Sequence, residues 1–395
     1  MTKRPALNSK LAGFGTTIFA EMTQLANEHA AINLAQGFPD FEGPTFVADA
    51  ARRAIADGHN QYARMAGAPV LVEAIAADLD RRTGLHYDPL TEVVVTSGAT
   101  EAIHTTVMAL CEPGDEIVML EPYYDSYRAC CAMAGATPRF VTLHAPEFRW
   151  REDELTRAFS DRTRVLLLNT PHNPTGRVLD RTEMETLAAL CRKHDVICVT
   201  DEVYDRLVFD GAHIPMATLP GMRERTVTIN SAGKTFSMTG WKIGWVTAPS
   251  ELARAVATAH QFVTFAVAHP FQHAVAAALT DADAHGYFEH FVTEFRKRRD
   301  FLCDVLTECG LALRPSEGTY FVMADTRPLG WSDDVAFCHH MTTEVGVAAI
   351  PPTSFYENKD AGRFLVRFAF CKRMQTLEQA AERLRERLRP RPGSA

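Results

Sequence analysis

Short runs of β-branched and other apolar residues alternate with longer segments of helical periodicity between about residue 90 and residue 250. This alternation is typical of strand–helix–strand crossover units, which build a largely parallel sheet covered by helices. The pattern therefore predicts an α/β fold for the middle of the chain. The predicted strands are, in chain order, Glu92–Thr96, Glu116–Leu120, Arg164–Asn169, Val196–Thr200, Thr226–Asn230 and Gly244–Ala248.

Each of the first five predicted strands runs directly into a polar or glycine-bearing segment. These segments are Ser97–Thr100, Glu121–Tyr124, Thr170–Asn173, Asp201–Tyr204 and Ser231–Lys234. In open α/β sheets, ligands bind beyond the carboxyl ends of the strands. We therefore expect the five segments to meet at one binding site.

Helix start signals support the same division. Asp180 followed by Glu183 predicts a capping box, and Thr376 followed by Gln379 predicts a second one. Leucine and alanine recur at helical spacing over residues 377–388 with Glu and Arg between them. The end of the chain is thus expected to be an amphipathic helix on the outside of a domain.

The pattern changes near residue 285. A long charged helix is predicted over residues 288–311, followed by strands at 320–324 and 364–370. These elements indicate a smaller α+β domain, whereas the first 45 residues are punctuated by glycine and proline and cannot form a domain alone. The predicted division is an N-terminal arm at 1–45 that joins the small domain, a large domain at 46–285 and a small C-terminal domain at 286–395.

Composition narrows the function classes. The 395 residues are 46% hydrophobic, enough to bury a large core in two or three domains. The 41 basic and 49 acidic residues give a net charge of −8 without long runs of either sign, so nucleic acid is not an expected partner. No apolar run approaches the roughly 20 residues that span a membrane, and the N-terminus lacks the apolar region of a signal peptide.

The cysteines and histidines predict neither a disulfide framework nor a metal site. Nine cysteines, an odd number, lie mostly within apolar stretches, which predicts reduced thiols in a cytoplasmic protein. Cys338, His339 and His340 are metal-ligating residue types, but no second Cys or His pair at the spacing of a zinc site accompanies them. We therefore expect no bound metal.

Three chemistries compete for the segment Ser231–Thr235. It resembles the end of a phosphate-binding P-loop, but that motif requires a glycine where this chain has Thr228. Ser231 and Lys234 fit the S-x-x-K motif of serine acyl-transferases, but the partner motifs of that class are missing. The aromatic residues and glycines that follow favour a lysine of lowered pKa, whose neutral amine can form imines.

With these motifs in order, the chain resembles the fold-type I pyridoxal-phosphate (PLP) aminotransferases of class I and II, in particular kynurenine aminotransferase, glutamine transaminase K and bacterial methionine aminotransferase. The resemblance runs from N-L-A-Q-G-F-P-D-F at residues 33–41, through N-T-P-H-N-P-T-G at 169–176, to the region of Arg367. It implies a large PLP-binding domain with a mostly parallel seven-stranded sheet sandwiched by helices, and a smaller α+β domain. It also implies a homodimer.

The resemblance implies three catalytic residues. Lys234 corresponds to the lysine that carries PLP as a Schiff base and acts as the general base. Asp201 resembles the carboxylate that keeps the pyridine nitrogen protonated, and Tyr204 with Asn173 resembles the pair that binds the phenolate oxygen of the cofactor. Judged alone, Asp201 is equally consistent with a helix cap, and the Asn-Pro-Thr-Gly sequence is simply a good turn.

Further residues resemble contacts to the cofactor phosphate. Gly98, Ala99 and Thr100 lie between a predicted strand and a helix, and helix N-termini favour anions. Ser231 and Lys242 resemble additional phosphate contacts. The lysine stands where many relatives have arginine, so it offers a point charge without a bidentate fork.

Two tyrosines resemble the aromatic contacts of the family. Tyr124 corresponds to the residue that stacks on the pyridine ring, with Tyr123 as the alternative. Tyr62 corresponds to the residue that a neighbouring subunit contributes to the phosphate. A dimer is therefore expected to complete each active site.

The substrate site is also implied by resemblance. Arg367, flanked by apolar residues on a predicted strand, resembles the arginine that binds the substrate α-carboxylate, although an edge-strand salt bridge is the alternative. Gly37 and Asn173 resemble nearby substrate contacts. An aromatic pocket favours methionine, aromatic amino acids, kynurenine or glutamine over aspartate. The pocket residues implied are Phe19, Tyr124 and Phe265.

The implied activity is transfer of an amino group from an L-amino acid to a 2-oxo acid, and two other functions compete with it. A PLP-dependent C–S β-lyase uses the same chemistry when the substrate carries a β-leaving group. A PLP-fold regulator without turnover carries a DNA-binding domain before the main domain, and about 45 residues leave no room for one.

Overall fold

The computed structural model describes residues 7–390. Within that range the strands are β1 (Ile32–Asn33), β2 (Val93–Thr96), β3 (Glu116–Glu121), β4 (Thr137–Thr142), β5 (Thr163–Asn169), β6 (Ile197–Asp201), β7 (Thr226–Ser231), β8 (Gly244–Thr247), β9 (Ala312–Leu313), β10 (Phe321–Asp325), β11 (Val347–Ala348) and β12 (Leu365–Ala369).

The α-helices in the same range are α1 (Ile18–Glu28), α2 (Thr45–Ala56), α3 (Pro69–Thr83), α4 (Gly98–Leu110), α5 (Asp125–Ala134), α6 (Glu152–Ala158), α7 (Arg181–Lys193), α8 (Ala232–Thr235), α9 (Ser250–Val263), α10 (His269–Asp281), α11 (Tyr287–Glu308), α12 (Asp334–His340), α13 (Lys359–Gly362) and α14 (Met374–Arg387). Short 3₁₀ turns lie at Ser9–Leu11, Met216–Thr218, Arg223–Arg225, Thr239–Trp241, Arg327–Leu329 and Pro352–Phe355, and a π-turn lies at Met341–Val345. None of these helices is long and apolar enough to cross a membrane.

Strands β2 to β8 form one sheet in the order β2-β8-β7-β6-β5-β3-β4. Neighbours are parallel except at β8, which is antiparallel to both β2 and β7. Six of the seven strands therefore point in the same direction, and their carboxyl ends share one edge. The predicted α/β fold with a mostly parallel seven-stranded sheet is confirmed.

Helices cover both faces of this sheet because its strands are apolar on both sides. In β3, Ile117 and Met119 pack in one core with residues of α4, α5 and α9. Val118 and Leu120 point to the opposite face, where they pack with residues of α6 and α7. Alternation with a period of two thus divides each buried strand between two helix layers.

The beginning and the end of the described chain share a separate core. Met22 and Ala26 of α1 are buried together with Phe295 of α11 and with Leu377 and Leu384 of α14. Strand β1 pairs in parallel with β11, and β12, β10 and β9 form an antiparallel sheet beside them. The N-terminal residues therefore pack on elements from the last third of the sequence.

The division into an arm, a large domain and a small domain stays a prediction. Residues 1–6 of the predicted arm and residues 391–395 of the predicted C-terminal domain lie outside the described residues.

The six strands predicted between residues 92 and 248 are all present, with bounds that differ by at most one residue. Strand β4 was not predicted. Pro138 and Arg139 interrupt its apolar pattern, and its first half is partly exposed. It pairs only with β3 at the edge of the sheet, the position where proline and charged residues are tolerated.

The first predicted capping box is confirmed. Asp180 Oδ1 accepts a hydrogen bond from the Glu183 amide at 2.9 Å, and Glu183 Oε2 accepts one from the Asp180 amide at 2.9 Å. These bonds satisfy two of the amides that a helix N-terminus leaves without intrahelical partners.

The second predicted capping box, Thr376 with Gln379, is wrong. Helix α14 begins at Met374, so Thr376 lies within its first turn. Asp40 supplies the cap instead: its carboxylate accepts from the Arg373 amide and from the Thr376 hydroxyl, each at 2.6 Å. A side chain more than 330 positions away satisfies the helix terminus, so no local pattern could reveal it.

We expect Asp40→Ala to lower the free energy of unfolding by about 1 kcal/mol, because an amide at the start of α14 would lose its acceptor. Equilibrium urea unfolding measures the change. Asp360→Ala is the matched control, since the Asp360 side chain is 88% exposed and lies 3.6 Å from Arg363. Equal stability of the two variants would contradict a capping role for Asp40.

Candidate active site

A cavity of about 240 Å³ lies at the carboxyl edge of the seven-stranded sheet. Residues from all five segments that follow predicted strands line it, together with residues of the N-terminal arm and of β12. The structure thus brings together most of the residues implied by the sequence. Those that line the cavity are Phe19, Gly37, Gly98, Ala99, Thr100, Tyr124, Asn173, Asp201, Tyr204, Ser231, Lys234, Lys242 and Arg367.

Lys234 reaches the cavity from α8, a short helix that begins directly after β7. Ser231 caps this helix, because its Oγ accepts from the Gly233 amide at 3.2 Å. Burial, reinforced by the positive charges of Lys242 and Arg367, lowers the pKa of Lys234 to about 8. Roughly a tenth of its amine is therefore neutral at pH 7, far more than for an ordinary lysine, and the neutral form is the nucleophile or base.

Tyr320 positions the Lys234 amine and was not predicted as a site residue. Lys234 Nζ donates to Tyr320 Oη at 2.5 Å, and Tyr320 Oη donates to the Gly37 carbonyl at 2.6 Å. The ring of Tyr320 packs edge-on against that of Tyr204, with centroids 5.1 Å apart. Its sequence neighbourhood is apolar and reads as an ordinary buried strand, so the sequence carried no signal for this role.

Asp201, at the end of β6, is buried and forms no ion pair within residues 7–390. Its Oδ2 accepts from the Tyr127 hydroxyl at 2.6 Å, and its Oδ1 accepts from the Val203 amide at 3.4 Å. Burial raises its pKa to about 6 against the effect of these bonds. A carboxylate in this setting is stabilised by a cationic donor from a ligand, such as a protonated ring nitrogen.

The opposite end of the cavity suits an anion. Gly98, with φ of +75°, starts α4, and a Cβ placed on it would lie 3.1 Å from Lys242 Nζ. A Cβ on Gly244 would lie 2.5 Å from the Gly98 carbonyl carbon, so both glycines are needed for the helix start to approach β8. Free amides at the start of α4, an ammonium group and the Ser231 hydroxyl thereby face one space of the kind that binds phosphate.

Lys242 adopts a left-handed backbone conformation with φ of +55°. Such strain in a residue other than glycine persists where the surrounding structure imposes it, and it concentrates at functional sites. Here it lies between the turn Thr239–Trp241 and strand β8, where it directs the side chain toward Gly98.

Arg367 is 1% exposed, and within the described chain no carboxylate pairs with it. It donates to the Ala35 carbonyl at 2.8 Å and to Asn173 Oδ1 at 3.4 Å, but its Nε has no acceptor. The guanidinium carbon lies 4.3 Å from the ring centroid of Phe321 and 5.2 Å from that of Phe19. Within the described residues, Arg367 therefore forms no edge-strand salt bridge. Its unused hydrogen-bond donors suit the carboxylate of a ligand.

The structure separates the two tyrosines that competed for the stacking role. Tyr124 lines the cavity, whereas Tyr123 is buried in the core and packs on Phe140 with ring centroids 5.2 Å apart.

Asn169, which was not predicted, connects two site residues: its Nδ2 donates to the Asp201 carbonyl at 2.8 Å, and its Oδ1 accepts from the Asn173 amide at 2.7 Å. The sequence feature that could have identified this residue is its position at the end of β5, where a polar segment begins.

Tyr62 and Phe265 do not line the cavity of their own chain. Their rings contact each other edge-on, with centroids 5.2 Å apart. Tyr62 is 82% exposed and Phe265 is 48% exposed, which is unusual for aromatic residues. The two residues form one aromatic surface that faces away from the described chain.

Comparisons with known proteins agree with this geometry. Residues 30–384 match the sequence model of the family described as aminotransferase class I and II. The chain is 48% identical to the probable N-succinyldiaminopimelate aminotransferase of Mycobacterium tuberculosis, over 95% of this chain and 97% of that protein. It is 40% identical to methionine aminotransferase of Escherichia coli, over 98% of this chain and 100% of that protein. A solved structure of N-succinyldiaminopimelate aminotransferase from M. tuberculosis, 48% identical, superposes with a TM-score of 0.93 over 96% of this chain and 99% of the other.

The lowered pKa of Lys234 can be tested in protein stripped of cofactor. We expect the rate of PLP uptake to rise roughly tenfold per pH unit below about pH 8 and to level off above it, because only the neutral amine attacks a carbonyl. Absorbance in the visible region follows the reaction, and Lys234→Arg is the control that should not develop the band. A rate that still climbs steeply toward pH 10 would indicate an ordinary lysine.

Proposed function

Because the chain belongs to the class I and II aminotransferases, PLP-dependent enzymes that catalyse transamination, we propose that it transfers the amino group of methionine and aromatic L-amino acids to a 2-oxo acid. One observation carries this proposal. Lys234, with a lowered pKa, and Arg367, without a carboxylate partner, face the same cavity.

The residues of the cavity fit the cofactor. When bound, PLP supplies a carbonyl that condenses with amines and a ring that accepts electron density from the substrate Cα. We assign the phosphate to the start of α4 with Ser231 and Lys242, and the ring nitrogen to Asp201. Tyr204 and Asn173 are assigned to the phenolate oxygen, and the ring of Tyr124 to one face of the cofactor.

Arg367 orients the substrate. Its guanidinium lines the cavity and can bind the two oxygens of an α-carboxylate, and Asn173 and Gly37 line the same cavity. Fixing the carboxylate limits the remaining freedom of the Cα–H mainly to rotation about the bond between Cα and the carboxylate carbon. Such positioning lowers the entropic part of the barrier.

Lys234 moves the proton. With its amine uncombined, Lys234 would take the proton of the substrate Cα onto Nζ, hold it there as an ammonium and release it, on the same side of the cavity, to the carbon atom of the cofactor carbonyl. The pKa of about 8 allows the amine to act in both directions near neutral pH. Tyr320, which receives a hydrogen bond from Nζ, holds the amine within the cavity during the cycle.

The charges that line the cavity favour a neutral substrate side chain. Among the described residues, the cations that line it are Lys234, Lys242 and Arg367, and each already has an assigned role. The remaining wall includes Phe19, Phe321 and Ile103, which offer apolar surface. Methionine and aromatic amino acids fit this wall, and kynurenine and glutamine are further candidates with uncharged side chains. An aspartate side chain would bury a carboxylate without a partner.

We further propose a homodimer in which Tyr62 and Phe265 of one subunit reach the cavity of the other. Their mutual contact and their exposure support this proposal, since both are expected in the site and neither lines it within one chain. A cytoplasmic location is also proposed, because all nine cysteines are free thiols and most are buried.

Substrate preference tests the proposed donors. We expect kcat/KM for L-methionine and L-phenylalanine to exceed that for N-succinyl-LL-2,6-diaminopimelate by at least about a hundredfold, because the latter buries remote carboxylates without a cation from this chain. Coupled assays of the oxo-acid products measure this ratio. The reverse preference would assign the substrate named for the M. tuberculosis relative. Pyruvate release from cystathionine without an oxo acid would instead indicate a β-lyase.

Mixed dimers test whether Tyr62 is shared. We expect Lys234→Ala to be inactive and Tyr62→Ala to be weak, and their 1:1 mixture, after subunit exchange, to reach about half of the wild-type activity per intact lysine, because about half of the intact lysines then lie in hybrid dimers. In the hybrid, one site receives both intact residues from different subunits. If the mixture shows no gain over Tyr62→Ala alone, Tyr62 acts within its own chain or has no role.

A further inference from the structure

Three histidines gather outside the cavity. His59 follows the end of α2, whereas His269 and His273 lie one turn apart on α10. One ring nitrogen from each lies within 4.8 Å of the others, and all three residues are partly buried. None of them lines the cavity, so the proposed catalytic cycle leaves the cluster unexplained.

A backbone carbonyl fixes the orientation of His269. Its Nδ1 lies 3.1 Å from the Gln61 carbonyl oxygen, which can only accept a hydrogen bond. The Nδ1 therefore carries a proton, and in the neutral ring Nε2 keeps its lone pair. An imidazole with one nitrogen bonded to a carbonyl and the other free is the arrangement that precedes metal binding in many proteins.

The lone pair of His269 Nε2 accepts a hydrogen bond from a second imidazole. His269 Nε2 lies 3.3 Å from His273 Nε2. Two nitrogens bound tetrahedrally to zinc at about 2.0–2.1 Å are separated by about 3.3–3.4 Å. The spacing of four residues on one helix thus places this pair at the distance of two zinc ligands.

His59 supplies the third ring. It stacks on His273 with centroids 3.7 Å apart, and its centroid lies 5.3 Å from that of His269. Rotation of its ring about the terminal side-chain bond turns a nitrogen toward the other two. Three imidazoles whose nitrogens lie this close together can direct their lone pairs at one shared cation.

We propose that His59, His269 and His273 bind one divalent transition-metal ion, Zn²⁺, with water in the fourth position. Imidazole ligands suit zinc and its neighbours in the first transition row better than magnesium or calcium. The ion would fasten the chain after α2 to helix α10. Because Gln61 and Tyr62 lie two and three residues after His59, it would also restrain the segment that carries the exposed tyrosine.

Isothermal titration of Zn²⁺ into the PLP-loaded enzyme tests the site, after removal of any affinity tag and of residual metal with EDTA. We expect one Zn²⁺ per chain for the wild type. His269→Gln and His273→Gln should each weaken binding by at least about tenfold. His29→Gln, a change at an exposed histidine at the end of α1, is the matched control and should bind as the wild type does.

Two further measurements keep the test independent of folding defects. Circular dichroism checks each variant, and His59→Gln replaces either helix variant that fails to fold, since His59 lies outside the helices. Co²⁺ in place of Zn²⁺ should give the visible absorption of a tetrahedral site in the wild type and lose it in the variants. No binding to the wild type, or equal binding to wild type and cluster variants, would overturn the proposal.

Discussion

The shared direction of six strands in the central sheet determines where the chemistry lies. Parallel strands need long crossovers, and those crossovers begin at one edge of the sheet. The polar segments that follow β2, β3, β5, β6 and β7 are therefore delivered to that edge, while these five strands are largely buried on both faces. The location of the site therefore follows from the strand topology and does not depend on any single side chain.

The charged side chains that line the cavity do not neutralise one another. Lys234, Lys242 and Arg367 face one space that also contains the carboxylate of Asp201. Burial works against three of these charges, lowering the pKa of Lys234 and Arg367 and raising that of Asp201. Under the proposed function, an anionic phosphate and a protonated ring nitrogen from the cofactor and a carboxylate from the substrate would complete this arrangement.

The sequence predicted the elements whose evidence is local. Strands with apolar cores and the capping box at Asp180 were found because period and spacing lie within one segment. The cap of α14 by Asp40 and the contact of Lys234 with Tyr320 were not predictable, because each joins residues far apart in the chain. The histidine cluster was missed for the same reason: two members share a helix, but the third is some 200 residues earlier. The roles of the site residues rest on resemblance and await the experiments that test them.

The pairing of the two ends of the chain has a consequence for biosynthesis. Strand β1 has its partner in β11, and the apolar residues of α1 are covered by helices α11 and α14. On the ribosome these partners emerge only when most of the protein has been made. The apolar surface of α1 therefore stays exposed until these partners have been made, whereas the strands of the central sheet can pair earlier. A nascent chain in which α14 has not yet been made therefore exposes the apolar residues of α1 to chaperones and proteases.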